Sequence, residues 1–275
     1  MQTAVVGHVE WIEFARVERV PRSGEIAHAE DSWQEPGGGG AVAAVQMAKL
    51  AGGATLFTAL GDDELGHRAH EELTALGLRV EAAWRDEPQR RGFVHVDSAG
   101  ERTITVIGSR LGPRGDDRLP WGELSGVEGV YFTAGDTAAL SAARAAATLV
   151  ATARGLETLV EAGVELDALV ASGEDAGERY ERGQVQPEPR LVVRTAGASG
   201  GQWERADGES GGWRASPLPG PISDAYGCGD AFAGALTYAL GRRMELDDAL
   251  HLAARCGAAN LTGRGPYAGQ LTSAD

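Results

Sequence analysis

The segment best suited to chemistry is SDAYGCGDAFAGALTY, residues 223–238, in which two glycines flank Cys228 and Asp230 follows directly. The alanine-rich run after Asp230 predicts a helix. Gly227 and Gly229 let the backbone approach a ligand and direct N–H groups at it, and the helix start adds partial positive charge, so the turn predicts an anion site. A carboxylate in the first helical turn is placed to take a proton from a hydroxyl that attacks a phosphoryl group. The alternative is that Asp230 only caps the helix.

The composition excludes several classes of partner and site. The 275-residue chain has a formal net charge of −15, whereas binding to nucleic acid or to an anionic membrane needs a basic face. Lys49 is the only lysine, and the chain therefore contains no P-loop of the form GxxxxGK(S/T). The two cysteines, Cys228 and Cys256, lack the spacing of a disulfide scaffold or a zinc cluster. Because no signal-like N-terminus and no apolar run of about 20 residues occurs, we expect a cytoplasmic protein.

Alternating strand and helix patterns predict the frame that carries this turn. They favour one α/β domain over residues 1–275, with a mostly parallel sheet and helices on both faces. Alanine-rich stretches predict helices over residues 40–52, directly after four glycines, and over residues 137–148. Residues 92–96 and 102–107 alternate in polarity around the sequence DSAG, which predicts an exposed hairpin.

Residues 224–232, DAYGCGDAF, resemble the signature DTxGAGDxF of the ribokinase-like, or PfkB, carbohydrate kinases. Ala225 replaces the usual threonine, while both glycines and the final acid, Asp230, are kept. The resemblance implies a ribokinase-like three-layer sandwich with a mostly parallel central sheet, helices on both faces and a small β lid near residues 9–35 and 90–110. It also implies transfer of the γ-phosphoryl group of ATP, with Mg2+, to a hydroxymethyl group of a sugar or sugar-like molecule.

The same resemblance assigns roles within the turn. It makes Asp230 the general base and gives the N–H groups of Gly227, Cys228 and Gly229 the task of stabilising charge on the transferred group. A catalytic thiol at Cys228 is disfavoured, since the position also suits a small packed residue. The resemblance also admits a homodimer joined through the lid.

A second match lies at residues 36–52, PGGGGAVAAVQMAKLAG, which resemble the family's first signature, a glycine pair before an alanine-rich helix. Val42 stands where the family usually has an asparagine that hydrogen-bonds the sugar, and Ile12 stands at the usual sugar-gripping aspartate. The competing interpretation is a dinucleotide fingerprint, since the glycines and Ala43 have G-x-G-x-x-A spacing, but no apolar strand leads into it. The candidate substrate-binding residues are Gly38, Gly39, Gly40, Val42, Glu10 and Asp136.

Two segments of the second half resemble the family's nucleotide motifs. In residues 166–178, LDALVASGEDAGE, Ser172 and Asp175 take the places of the Asn and Glu of an NxxE motif. Because one or two carboxylates with phosphate oxygens and water usually hold Mg2+, the resemblance implies a magnesium ligand at Asp175; an exposed charged loop is the alternative. Residues 191–201, LVVRTAGASGG, resemble the family's VTLGxxG. The candidate nucleotide-binding residues are Ser172, Thr195, Gly197, Gly200 and Gly229.

Further positions leave the ligands and the activity open. Asp224, Asn260 and Gly265 stand where members that use a monovalent cation such as K+ bind it. Because Ile12, Val42 and Ser172 depart from the family pattern, two other functions fit: a catalytically weakened nucleotide- or sugar-binding protein, or a kinase of nucleosides or sugar phosphates with a less polar or more basic pocket. Arginines 85, 90 and 91, before the predicted hairpin, either pair with acids or meet a phosphate.

Overall fold

The structure is a computed structural model that describes residues 1–275. The strands are β1 (Thr3–Val6), β2 (Glu10–Arg16), β3 (Asp31–Gly37), β4 (Ala54–Gly61), β5 (Leu78–Arg85), β6 (Arg91–Val96), β7 (Arg102–Ile107), β8 (Gly129–Phe132), β9 (Leu149–Thr152), β10 (Ala168–Ser172), β11 (Leu191–Thr195), β12 (Gly201–Arg205) and β13 (Ser210–Trp213). The α-helices are α1 (Gly39–Ala51), α2 (Glu64–Ala75), α3 (Thr137–Ala143), α4 (Leu156–Ala162), α5 (Cys228–Gly241) and α6 (Leu246–Asn260).

A nine-stranded sheet in the order β13-β12-β11-β10-β9-β8-β1-β4-β5 forms the centre of the molecule. Pairing is parallel from β11 to β5, and β12 and β13 add an antiparallel edge. The short strands β1, β8 and β9 are buried along their whole length, as expected of parallel strands covered on both faces. The carboxyl ends of these parallel strands lie at one edge of the sheet, where open α/β sheets bind ligands.

Alternate residues of each strand pack into different layers. Val5 of β1 belongs to a core cluster of 40 buried residues that includes α1, α5 and α6. Ala4 and Val6 belong to a separate cluster of 21 buried residues that includes α3 and α4. Helices therefore cover both faces of the sheet, and the predicted three-layer α/β fold is confirmed. No helix is both long and apolar enough to cross a membrane.

Four further strands form a smaller sheet, the lid, in the order β3-β2-β6-β7. β6 and β7 form the hairpin expected from the sequence, and β2 joins it by parallel pairing with β6. The lid contacts the segment that leads into α5: Arg102 Nη1 donates a hydrogen bond to the carbonyl oxygen of Ala225, at 2.8 Å. The Ala225 N–H donates to the carbonyl oxygen of Gly100, at 3.0 Å. These two bonds fix the hairpin beside residues 224–230.

Candidate active site

The glycine turn before α5 opens toward unoccupied space. Gly227 caps the helix with a left-handed backbone, φ 79°, that favours glycine. A Cβ on Gly227 would lie 2.8 Å from Val42 Cγ1, so this residue packs tightly on α1. A Cβ on Gly229 would meet no atom within 4 Å. Because the first N–H groups of a helix have no intrahelical acceptor, those of residues 227–229 are available to a ligand on the open side.

The side chain of Asp230, in the first turn of α5, forms no hydrogen bond or ion pair with another protein group. Its carboxylate makes no hydrogen bond that caps the helix, so the capping alternative does not hold. The half-buried carboxylate lies over the start of α1: its Oδ1 would be 2.8 Å from a Cβ on Gly39. Burial raises the pKa of Asp230 to about 7, the charge of Glu178 raises it further, and the charges of Arg154 and Arg102 oppose the rise. A carboxylate with a pKa near neutrality is suited to general-base catalysis.

The predicted glycine run lies directly against the end of β1 and the glycine turn before α5. The Gly38 N–H donates to the Tyr226 hydroxyl oxygen at 2.9 Å. A Cβ on Gly38 would lie 3.3 Å from Glu10 Cγ, and one on Gly40 would lie 2.6 Å from the His8 carbonyl oxygen. Side chains at these glycines would fill the space between α1 and His8, which explains why glycines stand there. The structure thus brings Gly38, Gly39 and Gly40 together with Asp230.

Val42 does not reach this space, and its prediction as a substrate-binding residue is wrong. Its side chain is fully buried and packs against Gly227. Ile12, at the position of the family's sugar-gripping acid, is also fully buried, and its side chain packs on Gly37 and Gly92. Both side chains belong to the main core cluster, where an apolar residue is favoured. The two side chains therefore belong to the core and have no exposed surface.

Glu10 lies beneath the glycine run as part of a buried charge cluster. Its Oε1 lies 2.7 Å from Arg90 Nε and 3.7 Å from His8 Nε2. Burial raises the pKa of Glu10, whereas the charges of Arg90, Arg110 and Arg154 lower it. Burial also lowers the pKa of His8 to about 3, which keeps the imidazole neutral at physiological pH. His8 Nδ1 is buried without a hydrogen-bond partner.

Asp136 lies at the carboxyl end of β8 and caps α3. Its Oδ1 accepts the N–H groups of Ala139 at 2.7 Å and of Gly115 at 2.9 Å. It also lines a cavity of about 450 Å³ beside the site, together with Thr133, Arg110 and Arg154. Because backbone donors already occupy one oxygen, the capping bonds fix the position of this carboxylate at the cavity wall.

The predicted nucleotide residues meet at the carboxyl ends of two adjacent strands. Ser172 of β10 pairs in register with Thr195 of β11. Gly197 and Gly200 follow in the next turn, with φ of 48° and 87°. Ser172 Oγ accepts the N–H groups of Glu174 and Asp175 at 3.2 and 3.0 Å, so it shapes the loop that follows β10. Serine therefore holds this loop where the family motif has asparagine.

Asp175 is engaged by protein groups on both oxygens. Its Oδ1 accepts the Gly177 N–H at 2.8 Å, and its Oδ2 lies 2.6 Å from Arg154 Nη2. Glu178 Oε1 also lies 2.6 Å from Arg154 Nη2, whereas no protein group pairs with Glu178 Oε2. Two adjacent carboxylates suit Mg2+, because its usual ligands are one or two carboxylates together with phosphate oxygens and water molecules. The donor set fits magnesium, and Glu178 has the free oxygen that Asp175 lacks.

The three candidate cation residues form one buried cluster. Asp224 is fully buried, and its two oxygens accept the N–H groups of Tyr226 at 2.8 Å and Gly265 at 3.1 Å. Asn260 Nδ2 donates to the Tyr226 carbonyl oxygen at 2.9 Å, while Asn260 Oδ1 is buried without a partner. Burial raises the pKa of Asp224. A buried carboxylate beside an unpaired amide oxygen fits a monovalent cation.

Sequence reasoning missed four residues of this site: His8, Arg102, Arg154 and Glu178. Arg154 follows β9 by two residues, and His8 follows β1 by two residues. Their position just beyond the carboxyl end of a parallel strand was the available signal, because ligands bind there in open α/β sheets. No local motif marks them, and their relation to Asp230 depends on contacts between distant segments.

Comparisons with known proteins identify a family. The family model described as pfkB family carbohydrate kinase matches residues 2–147 and 133–273. The ribokinase of Cryptococcus neoformans, solved in complex with ADP, has a TM-score of 0.77 at 22% identity, over 99% of this chain and 97% of that one. At this identity the likeness establishes the fold.

Two curated relatives match a shorter region. A ribokinase of Dictyostelium discoideum is 32% identical over 106 residues, which are 38% of this chain and 33% of that protein. An ATP-dependent ribose-1-phosphate kinase of Halopiger xanaduensis is 31% identical over 105 residues, which are 38% of this chain and 35% of that protein. Each match spans about a third of the relative's length. The resemblance predicted from residues 224–232 is nevertheless confirmed, because the family model extends over nearly the whole chain, and this protein belongs to the pfkB family of carbohydrate kinases.

Proposed function

We propose that this protein transfers the γ-phosphoryl group of ATP to a hydroxymethyl group of a sugar or sugar-like molecule, with Asp230 as the general base. The observation that carries the proposal is the free carboxylate of Asp230, unpaired and half-buried at the start of α5, with its pKa raised by burial to about 7. Family membership supports the reaction class. An acceptor hydroxyl bound beside Gly39 would lie within reach of this base.

In this reaction the protein's own residues transfer one proton and stabilise negative charge. Asp230 takes the proton of the acceptor hydroxyl as that oxygen attacks the γ-phosphorus, and the bond to the β-phosphate oxygen breaks to leave ADP. The N–H groups of Gly227, Cys228 and Gly229 stabilise negative charge on the transferred group. The thiol of Cys228 takes no part: burial raises its pKa, so it stays protonated.

The nucleotide is placed along the carboxyl ends of β10 and β11. Ser172, Thr195, Gly197 and Gly200 border this region, and we assign the exposed Gly229 at the start of α5 to the phosphate end of the nucleotide. Mg2+, when bound, neutralises phosphate charge, and we assign its protein contact to Glu178 together with Asp175. Glu178 is preferred because its Oε2 has no protein partner, whereas both oxygens of Asp175 are engaged. Asp224, Asn260 and Gly265 would hold a monovalent cation behind the turn.

A panel of acceptors tests the proposed function. The protein is incubated with ATP and Mg2+ and with free sugars, nucleosides, sugar monophosphates or sugar acids, since the relatives include a ribokinase and a ribose-1-phosphate kinase. ADP release is followed by a coupled assay and the phosphorylated product by 31P NMR. Acceptor-dependent ADP release with a matching product supports a kinase. Binding of ATP and acceptor, seen as a thermal shift, without product from any class would instead support a binding protein.

A further inference from the structure

Thr133, Gly7 and His8 connect the cavity of about 450 Å³ to Gly39, over which Asp230 lies. Thr133 lines the cavity, and a Cβ on Gly7 would lie 2.5 Å from Thr133 Oγ1. Gly7 is followed by His8, whose Cε1 would lie 3.7 Å from a Cβ on Gly39, the residue that also contacts Asp230. An acceptor that presents a hydroxyl to Asp230 can therefore extend into this cavity.

Guanidinium groups converge on the space between the cavity and the glycine run. Arg110 and Arg154 line the cavity, and Arg90 lies 2.7 Å from Glu10. After burial, the charges of Arg110, Arg90 and Arg154 are the causes that lower the pKa of His8. Arg154 is paired with acids and Arg90 with Glu10, whereas Arg110 forms no ion pair. Arg114 also lines the cavity and forms no ion pair, so two arginines of the lining lack a counter-charge. Of these two, Arg110 is the one whose charge acts on His8.

The other charges of the cavity do not neutralise Arg110. Arg85, which also lines it, is bound on both guanidinium nitrogens by Asp117 at 2.7 Å. Glu87 and Glu157 are exposed residues of the lining. Asp136 is held by two backbone donors. No acid in the lining forms an ion pair with Arg110, so a ligand is left to supply the anion.

A buried polar atom in the wall points independently to a ligand. Thr133 is only 2% exposed, and its Oγ1 has no hydrogen-bond partner. Buried hydroxyl groups nearly always have a partner, so an orphan in a cavity wall indicates that bound water or a ligand completes it.

We propose that the acceptor carries an anionic group, a phosphate or a carboxylate, which binds Arg110 in this cavity while its hydroxyl meets Asp230. This inference rests on the proposed function and narrows its substrate class. The planar guanidinium suits both anions, because it forms paired hydrogen bonds with either. Thr133 Oγ1 adds a neutral hydrogen bond within the same cavity.

The test compares matched acceptors and matched arginine variants. Each sugar monophosphate and sugar acid is assayed beside its uncharged parent, with kcat and KM determined separately. We expect anionic acceptors to have the higher kcat/KM. Arg110→Gln should reduce that value on the order of 10- to 100-fold, mainly through KM, because a charge-assisted hydrogen bond is lost. Arg110→Lys should recover part of the loss.

Arg243→Gln is the control, since Arg243 is exposed just beyond the carboxyl end of α5, at the opposite end of that helix from the glycine turn, and forms no ion pair. It should leave kcat/KM unchanged. Calorimetric titration of the sugar monophosphates without ATP adds a readout independent of turnover, and Arg110→Gln should weaken that binding. The same titration with the sugar acids gives a second Kd, and the lower Kd shows whether the site prefers a phosphate or a carboxylate.

The outcomes separate this inference from the proposed function. The anion site is refuted, while the kinase stands, if uncharged sugars or nucleosides are phosphorylated with the same kcat/KM as anionic acceptors. It is also refuted if Arg110→Gln has the kcat/KM of the wild type. If no acceptor is phosphorylated but sugar monophosphates bind and Arg110→Gln weakens that binding, the anion site stands and the kinase is refuted. If neither turnover nor binding of an anion is found, both are refuted.

Discussion

Replacing Gly39 with alanine should impair the catalytic step and leave the fold intact. The added Cβ would stand 2.8 Å from Asp230 Oδ1 and would also face His8 Cε1 at 3.7 Å. Contacts between carbon and oxygen are ordinarily about 3.3 Å or longer, so the carboxylate must shift by roughly 0.5 Å. Because Asp230 has no hydrogen bond that fixes it, the side chain can make this shift without unfolding its surroundings.

The size of the effect follows from the sensitivity of catalysis to position. A displacement on the order of 1 Å costs about 100-fold in rate, so a shift of half that size should lower kcat about 10-fold. Gly39 is the first residue of α1 and does not have a left-handed backbone, so alanine there should stabilise the helix slightly or leave it unchanged.

The assay measures kcat by coupled ADP release with the best acceptor of the panel, and stability by thermal unfolding. Gly122→Ala is the matched control, because a Cβ at Gly122 would meet no atom within 4 Å. We expect Gly39→Ala to lose kcat with an unchanged Tm, and Gly122→Ala to retain both. A Gly39→Ala protein with wild-type kcat would refute the placement of Asp230 as the reacting base.

Two further outcomes follow from the buried residues and from the raised pKa of the base. Ile12→Asp, which restores the family's acid, should lower the free energy of unfolding by about 3–5 kcal/mol and should not raise activity, because it buries an unpaired charge. Chemical denaturation beside Ile12→Val, which should cost about 1 kcal/mol, checks this, and an unchanged stability would contradict the buried placement. The kcat/KM of the wild type should rise with pH up to an apparent pKa of about 7, because Asp230 acts only when ionised and burial raises its pKa. A kcat/KM that does not change across neutral pH would contradict the role of Asp230 as the base.

The parts of the site that could be predicted from the sequence are those carried by contiguous residues. The turn at residues 227–230 and the glycine run at residues 37–40 each combine special backbone conformations with adjacent chemistry. Parallel strands then bring their carboxyl ends to one edge, so separate motifs such as Ser172 and Thr195 meet without any knowledge of their side-chain contacts.

The parts that could not be predicted depend on contacts between distant segments. Asp175 is held by Arg154, 21 residues away, and nothing near Asp175 in the sequence announces this partner. A valine at position 42 is compatible with an altered substrate pocket or with the core. Only its packing on Gly227 shows that it belongs to the core. Long-range pairs of this kind have no periodic or local signal.

The predicted helix over residues 137–148 is too long, again because contacts between distant segments determine where the helix ends. α3 ends at Ala143, and residues 149–152 form the buried strand β9. Arg144 donates hydrogen bonds to the Ala146 carbonyl oxygen at 2.8 Å and to Asp167 Oδ2 at 2.7 Å, which ties the chain to the start of β10. Alanine favours helix only weakly, and these tertiary contacts override that preference.

If Asp230 deprotonates the acceptor, kcat must fall in Asp230→Asn and not in the matched variant Asp248→Asn. Both acids are the third residue of a helix, but Asp248 is exposed at the start of α6, away from the glycine turn. We expect Asp230→Asn to lower kcat by about 10²- to 10⁴-fold with its fold retained, and Asp248→Asn to keep wild-type turnover. Undiminished kcat in a folded Asp230→Asn protein would contradict this role of Asp230.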